Sequence, residues 1–327
     1  NFMFQANFTR RLHLFAIFAA AIVSTVITLD SQARGQSSEI CWKLKTNDRF
    51  IIEFNQNSKS DTTVDSRETS VKSKTEIKMT WNVSSVDSDG NATIQQAITG
   101  INLLVNGFTR KKKGETGAPL LEVAVNTSTP ATTSKQGKKL LKQIQPLLNL
   151  PIDVVMSPTG EILDVKVSTD VAKLLNELPN TQNLRQLFSP AGLKEMMGAS
   201  SVILPQPLSI GQTWNRQSKT ETAMGVMEQT ETYTYLGNKD GEQGGIAAFS
   251  VSTQLKPLDS TSGQQGASLQ GKLLGFSGSG TLLLDIENGY FSNSKLQNTV
   301  STEKPYREKM IKTTVSNEIE MNMRRQK

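Results

Sequence analysis

The chain has 327 residues, with 36 lysines and arginines against 30 acidic residues, and it carries one histidine and one cysteine. The histidine, His13, lies in an apolar N-terminal run, so the rest of the chain has no imidazole to act as a base, proton shuttle or metal ligand. Cys41 alone cannot close an internal disulfide. These counts exclude most histidine-dependent enzymes and disulfide-stabilised scaffolds.

Residues 1–33 have the layout of an export signal. Arg10 and Arg11 precede an apolar run over residues 12–29, and residues 31–33 supply the small side chains that signal peptidase requires. Cleavage is predicted after Ala33, which places the protein in the periplasm, the cell envelope or the medium. The alternative is an uncleaved membrane anchor, because the apolar run is just long enough to span a bilayer.

Charge and aromatic content argue against a nucleic-acid partner. Removing residues 1–33 takes away Arg10, Arg11 and Asp30 and leaves a mild net charge of +5. The compact basic run at 110–113 lies between two predicted strands, so we interpret it as a solvated hairpin tip. The aromatic residues are dispersed and form no stacking platform. We expect no cofactor and no metal.

Two long segments alternate apolar and polar residues with the period of a strand that has one wet face. The first covers residues 71–83, and the second covers residues 311–323, where Asn317 breaks the pattern on the apolar side. Four turn-like sequences, at 87–91, 157–160, 238–241 and 287–289, separate further strand-like runs. We therefore predict a mainly β (α+β) fold with long, curved antiparallel sheets.

Helices are predicted only in the middle of the chain, at about residues 136–198. Their apolar stripes are typical of helices that pack on a sheet, and they could also line a lipid-sized cavity. The residues assigned to such a lining are Leu140, Leu141, Ile144, Leu174, Leu175, Leu178, Met196 and Met197.

The two halves of the chain show a weak internal repeat. Asn47–Phe50, residues 80–83 and Gly160 in the first half correspond in order to residues 210–214, residues 233–236 and Gly289 in the second. We predict a signal peptide over 1–33, a first β module with the helical insertion over 34–204, and a second β module over 205–327. The second module either forms its own domain or shares a sheet with the first.

Three sequence motifs, in a fixed order, resemble a family of uncharacterised exported bacterial proteins that contain a domain of unknown function. The resemblance implies a secreted or cell-envelope protein and transfers no catalytic residue. The motifs are Trp81-x-Val83-x-x-Val86 with Asp89-Gly90-Asn91, Leu204-Pro205 with Ile210-Gly211-x-Thr213-Trp214, and Gly278-x-Gly280 with Asp285-x-x-x-Gly289.

The sequence favours a non-catalytic exported protein with a binding or scaffolding role, whose partner is either a lipid or other apolar ligand, or an envelope protein. Contact with a membrane is expected only through the N-terminal segment, if it stays uncleaved. The alternative is a hydrolase that works without histidine. It would use carboxylates, such as Asp61, Asp65 and Glu68 or Asp285 and Glu287, or a pair formed by Ser292 and Lys295.

Overall fold

A computed structural model describes residues 40–110, 117–171, 173, 194, 202–222, 225–241, 244–257, 271–306 and 308–326. These residues contain twelve strands and the α-helix α1, which covers Lys135–Ile144; residues 169–171, 173 and 194 are helical as well. Short 3-10 turns lie at Pro130–Thr132 and Gln145–Leu147. The strands are β1 Arg49–Val64, β2 Arg67–Val86, β3 Ala92–Arg110, β4 Ala118–Asn126, β5 Ile152–Met156, β6 Ile162–Val167, β7 Thr213–Thr222, β8 Gly225–Gly241, β9 Gly244–Pro257, β10 Lys272–Asp285, β11 Tyr290–Tyr306 and β12 Lys309–Arg325.

All twelve strands belong to one antiparallel sheet, which confirms the prediction of a mainly β fold. Its order is β6-β5-β3-β2-β1-β12-β11-β10-β9-β8-β7, and β4 pairs with the outer part of β3. The first and last strands meet in the middle, where the pairing of β1 with β12 runs from Phe50 opposite Arg325 to Val64 opposite Ile311. The two halves of the sequence therefore lie in one sheet.

The alternation along each strand gives the sheet an apolar face and a polar face. On β1 the even-numbered side chains, such as Phe50 and Ile52, lie on the apolar face, opposite Trp81 and Met79 of β2. The polar face carries lysine, glutamate, asparagine, serine and threonine side chains, some of them paired across strands, such as Asn102 with Glu76. The sheet thus buries one side only, as the two segments with period-two alternation predicted.

One end of the sheet, the base, holds the turns at 87–91, 157–161 and 286–289, and two apolar clusters pack there. The first-half cluster includes Phe50, Ile52 and Ile94, and the second-half cluster includes Phe249 and Leu284. Trp42 packs against both clusters, with ring centroids 6.1 Å from Trp81 and 5.5 Å from Phe291. The segment that precedes β1 therefore joins the two halves at the base.

Helix α1 packs against the sheet as its leucines predicted. Ser134 caps the helix by accepting a hydrogen bond from the Gly137 amide at 3.1 Å, and a 3-10 turn that contains Pro146 follows it. The region assigned to the helical insertion also contains the β5–β6 hairpin, because residues 152–167 pair as strands. Most of the two later predicted helices lies outside the described residues.

The predicted signal at residues 1–33 also lies outside the described residues. Within the part of the chain that the structure describes, no helix combines the length and the apolar character needed to cross a membrane. One predicted turn was placed too early, because β8 continues through residues 238–241 and the chain reverses between Gly241 and Gly244, which are paired.

The glycine-rich run at 275–280 lies within strand β10, where the missing side chains allow close packing. A Cβ built on Gly280 would lie 2.4 Å from Leu296 Cδ2 and 2.4 Å from the Lys295 carbonyl oxygen. One on Gly278 would lie 2.8 Å from Thr253 Cβ. Glycine at these two positions therefore lets the neighbouring strands β9 and β11 place their side chains over β10.

Candidate functional site

The predicted apolar lining residues fall into two groups. Leu140, Leu141 and Ile144 lie in or beside a packed cluster, the helix cluster, that joins α1 to β2, β3 and β4 through Leu103 and Val125. The structure thus places these three leucine and isoleucine side chains in a core contact with the sheet. Their role as a ligand lining stays a prediction. The other predicted residues lie outside the described part of the chain, namely Leu174, Leu175, Leu178, Met196 and Met197.

The apolar face continues beyond the three clusters toward the opposite end of the sheet, the tip. Phe54 and Ile77 are cross-strand neighbours in the middle of the sheet. Nearer the tip, Val300 lies between its cross-strand neighbours Phe276 and Val315. All five side chains are half-buried, and among the described residues none of them belongs to a cluster. Phe54 and Ile77 thus form one apolar patch, and Phe276, Val300 and Val315 form a second one nearer the tip; neither belongs to a cluster.

A row of polar side chains, the polar belt, crosses this apolar face in mid-strand. The strand registers place its members side by side from the edge strand β7 to β2. Within the row, Asn317 Nδ2 donates a hydrogen bond to Asn298 Oδ1 at 2.8 Å. The belt consists of Arg216, Glu231, Thr253, Asn298, Asn317, Ser58 and Ser73, with Gly278 between Thr253 and Asn298.

At the β7 edge the polar belt contains a carboxylate with three partners. Glu231 Oε2 accepts a hydrogen bond from the Tyr233 hydroxyl at 2.7 Å, and Glu231 Oε1 accepts one from Gln229 Nε2 at 3.0 Å. Arg216 Nη1 lies 3.9 Å from Glu231 Oε2, and the Arg216 side chain is 9% exposed. The charge of Glu231 is thus neutralised inside the sheet face and is not presented to a ligand.

Tyr233 should remain protonated at alkaline pH. Burial, together with the negative charge and hydrogen bond of Glu231, raises the pKa of Tyr233 far above its usual value. A raised pKa in the folded state contributes stability below about pH 10, where unfolded tyrosine is still neutral, and that contribution is lost as the pH rises further. We therefore expect stability to fall above about pH 10.

The measurement is tyrosinate absorbance during an alkaline titration. Tyr233→Phe should leave the absorbance change of the folded protein unaltered, because Tyr233 does not ionise there. In the unfolded protein the same substitution should remove about a quarter of the change, since the chain has four tyrosines. A loss of amplitude in the folded variant near pH 10 would contradict the expectation.

One row toward the base from the polar belt, Gln56 and Thr75 lie opposite each other, and both are 3% exposed. Gln56 Oε1 and Asn317 Oδ1 are buried, and neither has a hydrogen-bond partner within the described residues. Sequence reasoning identified Asn317 as a break in the apolar alternation but missed Gln56. The sequence contains the same signal for Gln56, because the apolar residues Phe50, Ile52 and Phe54 occupy every second position before it.

A groove of about 480 Å³ lies over β1, β2, β3, β11 and β12, and its lining combines polar-face residues with four members of the polar belt, Ser58, Ser73, Asn298 and Asn317. Lys59, Lys72 and Lys74 line it together with Glu318. Lys59 and Lys74 each lie 2.6 Å from a carboxylate on their own strand. Mixed charges with local ion pairs are typical of a solvated sheet face, so this groove selects no ligand charge.

The residues of the alternative hydrolase have separate partners. Ser292 Oγ donates to the Leu283 carbonyl at 3.3 Å, whereas Lys295 Nζ lies 3.4 Å from Glu320 Oε1. The structure therefore does not bring Ser292 and Lys295 together as a nucleophile and its base. Asp285 accepts hydrogen bonds from the Asn288 amide and side chain in the turn at the base.

The three carboxylates near the tip of the β1–β2 hairpin are engaged with three different cations. The pairs are Asp61 with Lys59, Asp65 with Lys309 and Glu68 with Arg110. Burial opposes ionisation of Asp61, but hydrogen bonds from Lys59 and Ser70 outweigh it, so the pKa of Asp61 is lowered. A lowered pKa suits an ion pair rather than a proton donor at neutral pH.

Hydrogen bonds within the turn at 87–91 occupy the carboxylate of Asp87. Asp87 Oδ1 accepts from the amides of Asp89 and Asn91, and Asp87 Oδ2 accepts from Asn91 Nδ2 at 3.0 Å. The bonds from the Asn91 side chain and amide hold the pKa of Asp87 below its usual value.

Across the described residues, no cluster of three or more histidine, cysteine or acidic side chains is arranged to hold a metal ion.

Comparison with protein families gives one match. The profile of a family of unknown function, DUF6263, matches residues 108–291, which is more than half of the sequence and runs from the end of β3 to the start of β11. The chain belongs to this family. The predicted resemblance to a family with a domain of unknown function is therefore confirmed, and that family is DUF6263. No curated protein matches the sequence.

Solved structures give weak similarities. The lipovitellin chain, from a structure of lipid–protein interactions in lipovitellin, is 14% identical to this chain with a TM-score of 0.37. The match covers 84% of this chain and 25% of the lipovitellin chain. OccK7 (OpdD) of Pseudomonas aeruginosa is 7% identical with a TM-score of 0.22, and that match covers 85% of this chain and 98% of OccK7. The DUF6263 chain thus spans about a quarter of the lipovitellin chain.

Proposed function

We propose that this DUF6263 protein is an exported, non-catalytic protein that binds an apolar ligand along the apolar face of its sheet. The observation that carries the proposal is a set of half-buried apolar side chains outside the packed clusters. They lie on both sides of the polar belt, with Phe54 and Ile77 on its base side and with Phe276, Val300 and Val315 on its tip side. Burying such a surface against a ligand releases water and is favourable in proportion to the apolar area covered.

The arrangement of the ionisable groups supports binding rather than catalysis. The carboxylate that is placed on the apolar face, Glu231, is neutralised by Arg216 and hydrogen-bonded by Tyr233 and Gln229. Catalytic acids and bases instead need a free position beside the substrate and a pKa near the working pH. The only histidine of the sequence, His13, belongs to the predicted export signal.

The ligand is tested by native mass spectrometry of the protein expressed with its N-terminal segment. We expect a co-purifying apolar molecule, and we expect Val315→Lys to lower its affinity by at least about tenfold, because a lysine there would place a charge within the apolar surface. The matched control is Ser316→Lys, since Ser316 is the next residue of β12 and lies exposed on the polar face.

Two outcomes would contradict the binding proposal. The first is a protein that is isolated without an apolar molecule and that also fails to bind a neutral fluorescent fatty amide. The second is equal binding by Val315→Lys and Ser316→Lys when both variants keep the circular dichroism of a folded β protein.

Export is tested separately by cell fractionation and N-terminal sequencing. We expect the mature chain outside the cytoplasm with Arg34 as its first residue, because the predicted cleavage follows Ala33. Replacing Ala33 with a bulky residue such as tryptophan should block cleavage and leave the protein attached to the membrane. A cytoplasmic chain that still begins with residues 1–33 would overturn this part of the proposal.

A further inference from the structure

Two buried carbonyl oxygens on the apolar face lack hydrogen-bond donors. Gln56 is 3% exposed and its Oε1 is fully shielded, and the Oδ1 of Asn317 is shielded as well; neither oxygen has a partner in the described part of the chain. Buried side-chain oxygens are nearly always paired, since leaving one unpaired costs free energy. A donor from outside these residues is therefore expected at this place.

The two oxygens belong to one location. Gln56 lies opposite Ile319 in the β1–β12 register, and Asn317 is two residues along β12 on the same face, so the two side chains are diagonal neighbours. Asn317 is held by its own hydrogen bond, in which Nδ2 donates to Asn298 Oδ1 at 2.8 Å. That bond leaves Asn317 Oδ1 as an acceptor.

The side chains around Gln56 and Asn317 indicate what kind of molecule would carry the hydrogen-bond donor. On the base side the next row contains Phe54 and Met321, which face each other, and on the tip side the next row contains Val315 and Val300. A donor that reaches Gln56 and Asn317 is thus flanked by apolar side chains along the strand direction. An apolar molecule with a single polar group would satisfy both features.

We propose that this site binds a neutral, single-chain amphiphile whose hydroxyl or amide N–H donates to Gln56 and Asn317. The inference rests on the proposed function and adds the chemistry of the ligand's polar end. Carboxylate and phosphate groups are disfavoured because their oxygens would face two carbonyl oxygens. An ammonium group is disfavoured because it would be desolvated without a counter-ion, since Glu231 lies five strands away from Gln56 and is paired with Arg216.

The test compares oleamide with N,N-dimethyloleamide, which has the same acyl chain and the same carbonyl but no N–H donor. Binding to the full chain is measured by calorimetry or by displacement of a neutral fluorescent fatty amide. We expect oleamide to bind about tenfold more tightly, as a hydrogen bond to a buried acceptor predicts. Gln56→Met, which keeps the length of the side chain and removes the amide, should reduce this preference to about threefold or less.

The matched control is Gln297→Met, because Gln297 is an exposed glutamine on the polar face of β11. It should keep the full preference for oleamide. Equal affinity for the two amides would overturn the inference, with an ordered water then serving Gln56 and Asn317, while the proposed apolar binding would stand. A preference retained in Gln56→Met would also overturn it. Failure of both amides to bind would overturn the inference and the proposed function together.

Discussion

Replacing Gly160 with alanine is expected to lower the free energy of unfolding by about 3 kcal/mol or more. Gly160 has a φ of +94°, which an alanine adopts only with strain. A Cβ at this position would also lie 2.5 Å from the Val202 carbonyl oxygen and 2.9 Å from Trp42 Nε1. Neither atom can move freely, because one is backbone and the other belongs to the indole that joins the two base clusters.

The Gly160 turn is where three chain segments meet. Its neighbours Pro158 and Thr159 accept hydrogen bonds from the amides of Trp42 at 2.8 Å and Leu204 at 3.0 Å. A displaced turn would therefore loosen both the segment before β1 and the segment before β7. We expect the loss to appear in urea unfolding followed by tryptophan fluorescence, to which Trp42 contributes together with Trp81 and Trp214.

Gly211→Ala provides the matched control for Gly160→Ala. Gly211 has a similar φ of +82°, but apart from its two chain neighbours no described residue has an atom within 4 Å of a Cβ built on it. Its replacement should cost only the backbone strain, about 1–2 kcal/mol. Equal losses for the two variants would show that the contacts with Val202 and Trp42 do not matter, and would contradict the packing explanation.

Much of the sheet was predictable because its signals are local. The alternation at 71–83 and 311–323 marks β2 and β12, since a strand with one buried face repeats every two residues. The turns at 157–160 and 287–289 contain glycines with positive φ. The turn near 240 was predicted too early because Asp240-Gly241 is a common hairpin-turn sequence. In the structure these two residues end β8, and Gly241 pairs with Gly244.

The candidate site was less predictable because it depends on register between distant strands. Arg216 and Glu231 are adjacent only because β7 and β8 pair in one particular register, and Asn317 joins the same row through four further strand pairings. A one-residue shift in any of these pairings would move the side chains of a strand to the other face. No local pattern in a single strand encodes that alignment.

Glu231→Ala is expected to destabilise the folded protein by about 3–5 kcal/mol. The substitution would remove the charge that balances Arg216, whose side chain is 9% exposed, and would leave the Tyr233 hydroxyl and Gln229 Nε2 without their acceptor. Removing one partner of a buried ion pair costs more free energy than the pair itself contributes. Urea denaturation at neutral pH measures the difference in the free energy of unfolding.

Two comparisons identify the cause of the Glu231→Ala loss. Glu228→Ala changes a glutamate on the polar face of the same strand, where it lies opposite Lys219 and Lys256, and should change stability by about 0.5 kcal/mol or less. The double variant Arg216→Met with Glu231→Leu should recover most of the stability, because it removes both charges and extends the apolar face. If Glu231→Ala were as mild as Glu228→Ala, the edge of the polar belt would be solvated, and Glu231 would be free to contact a ligand.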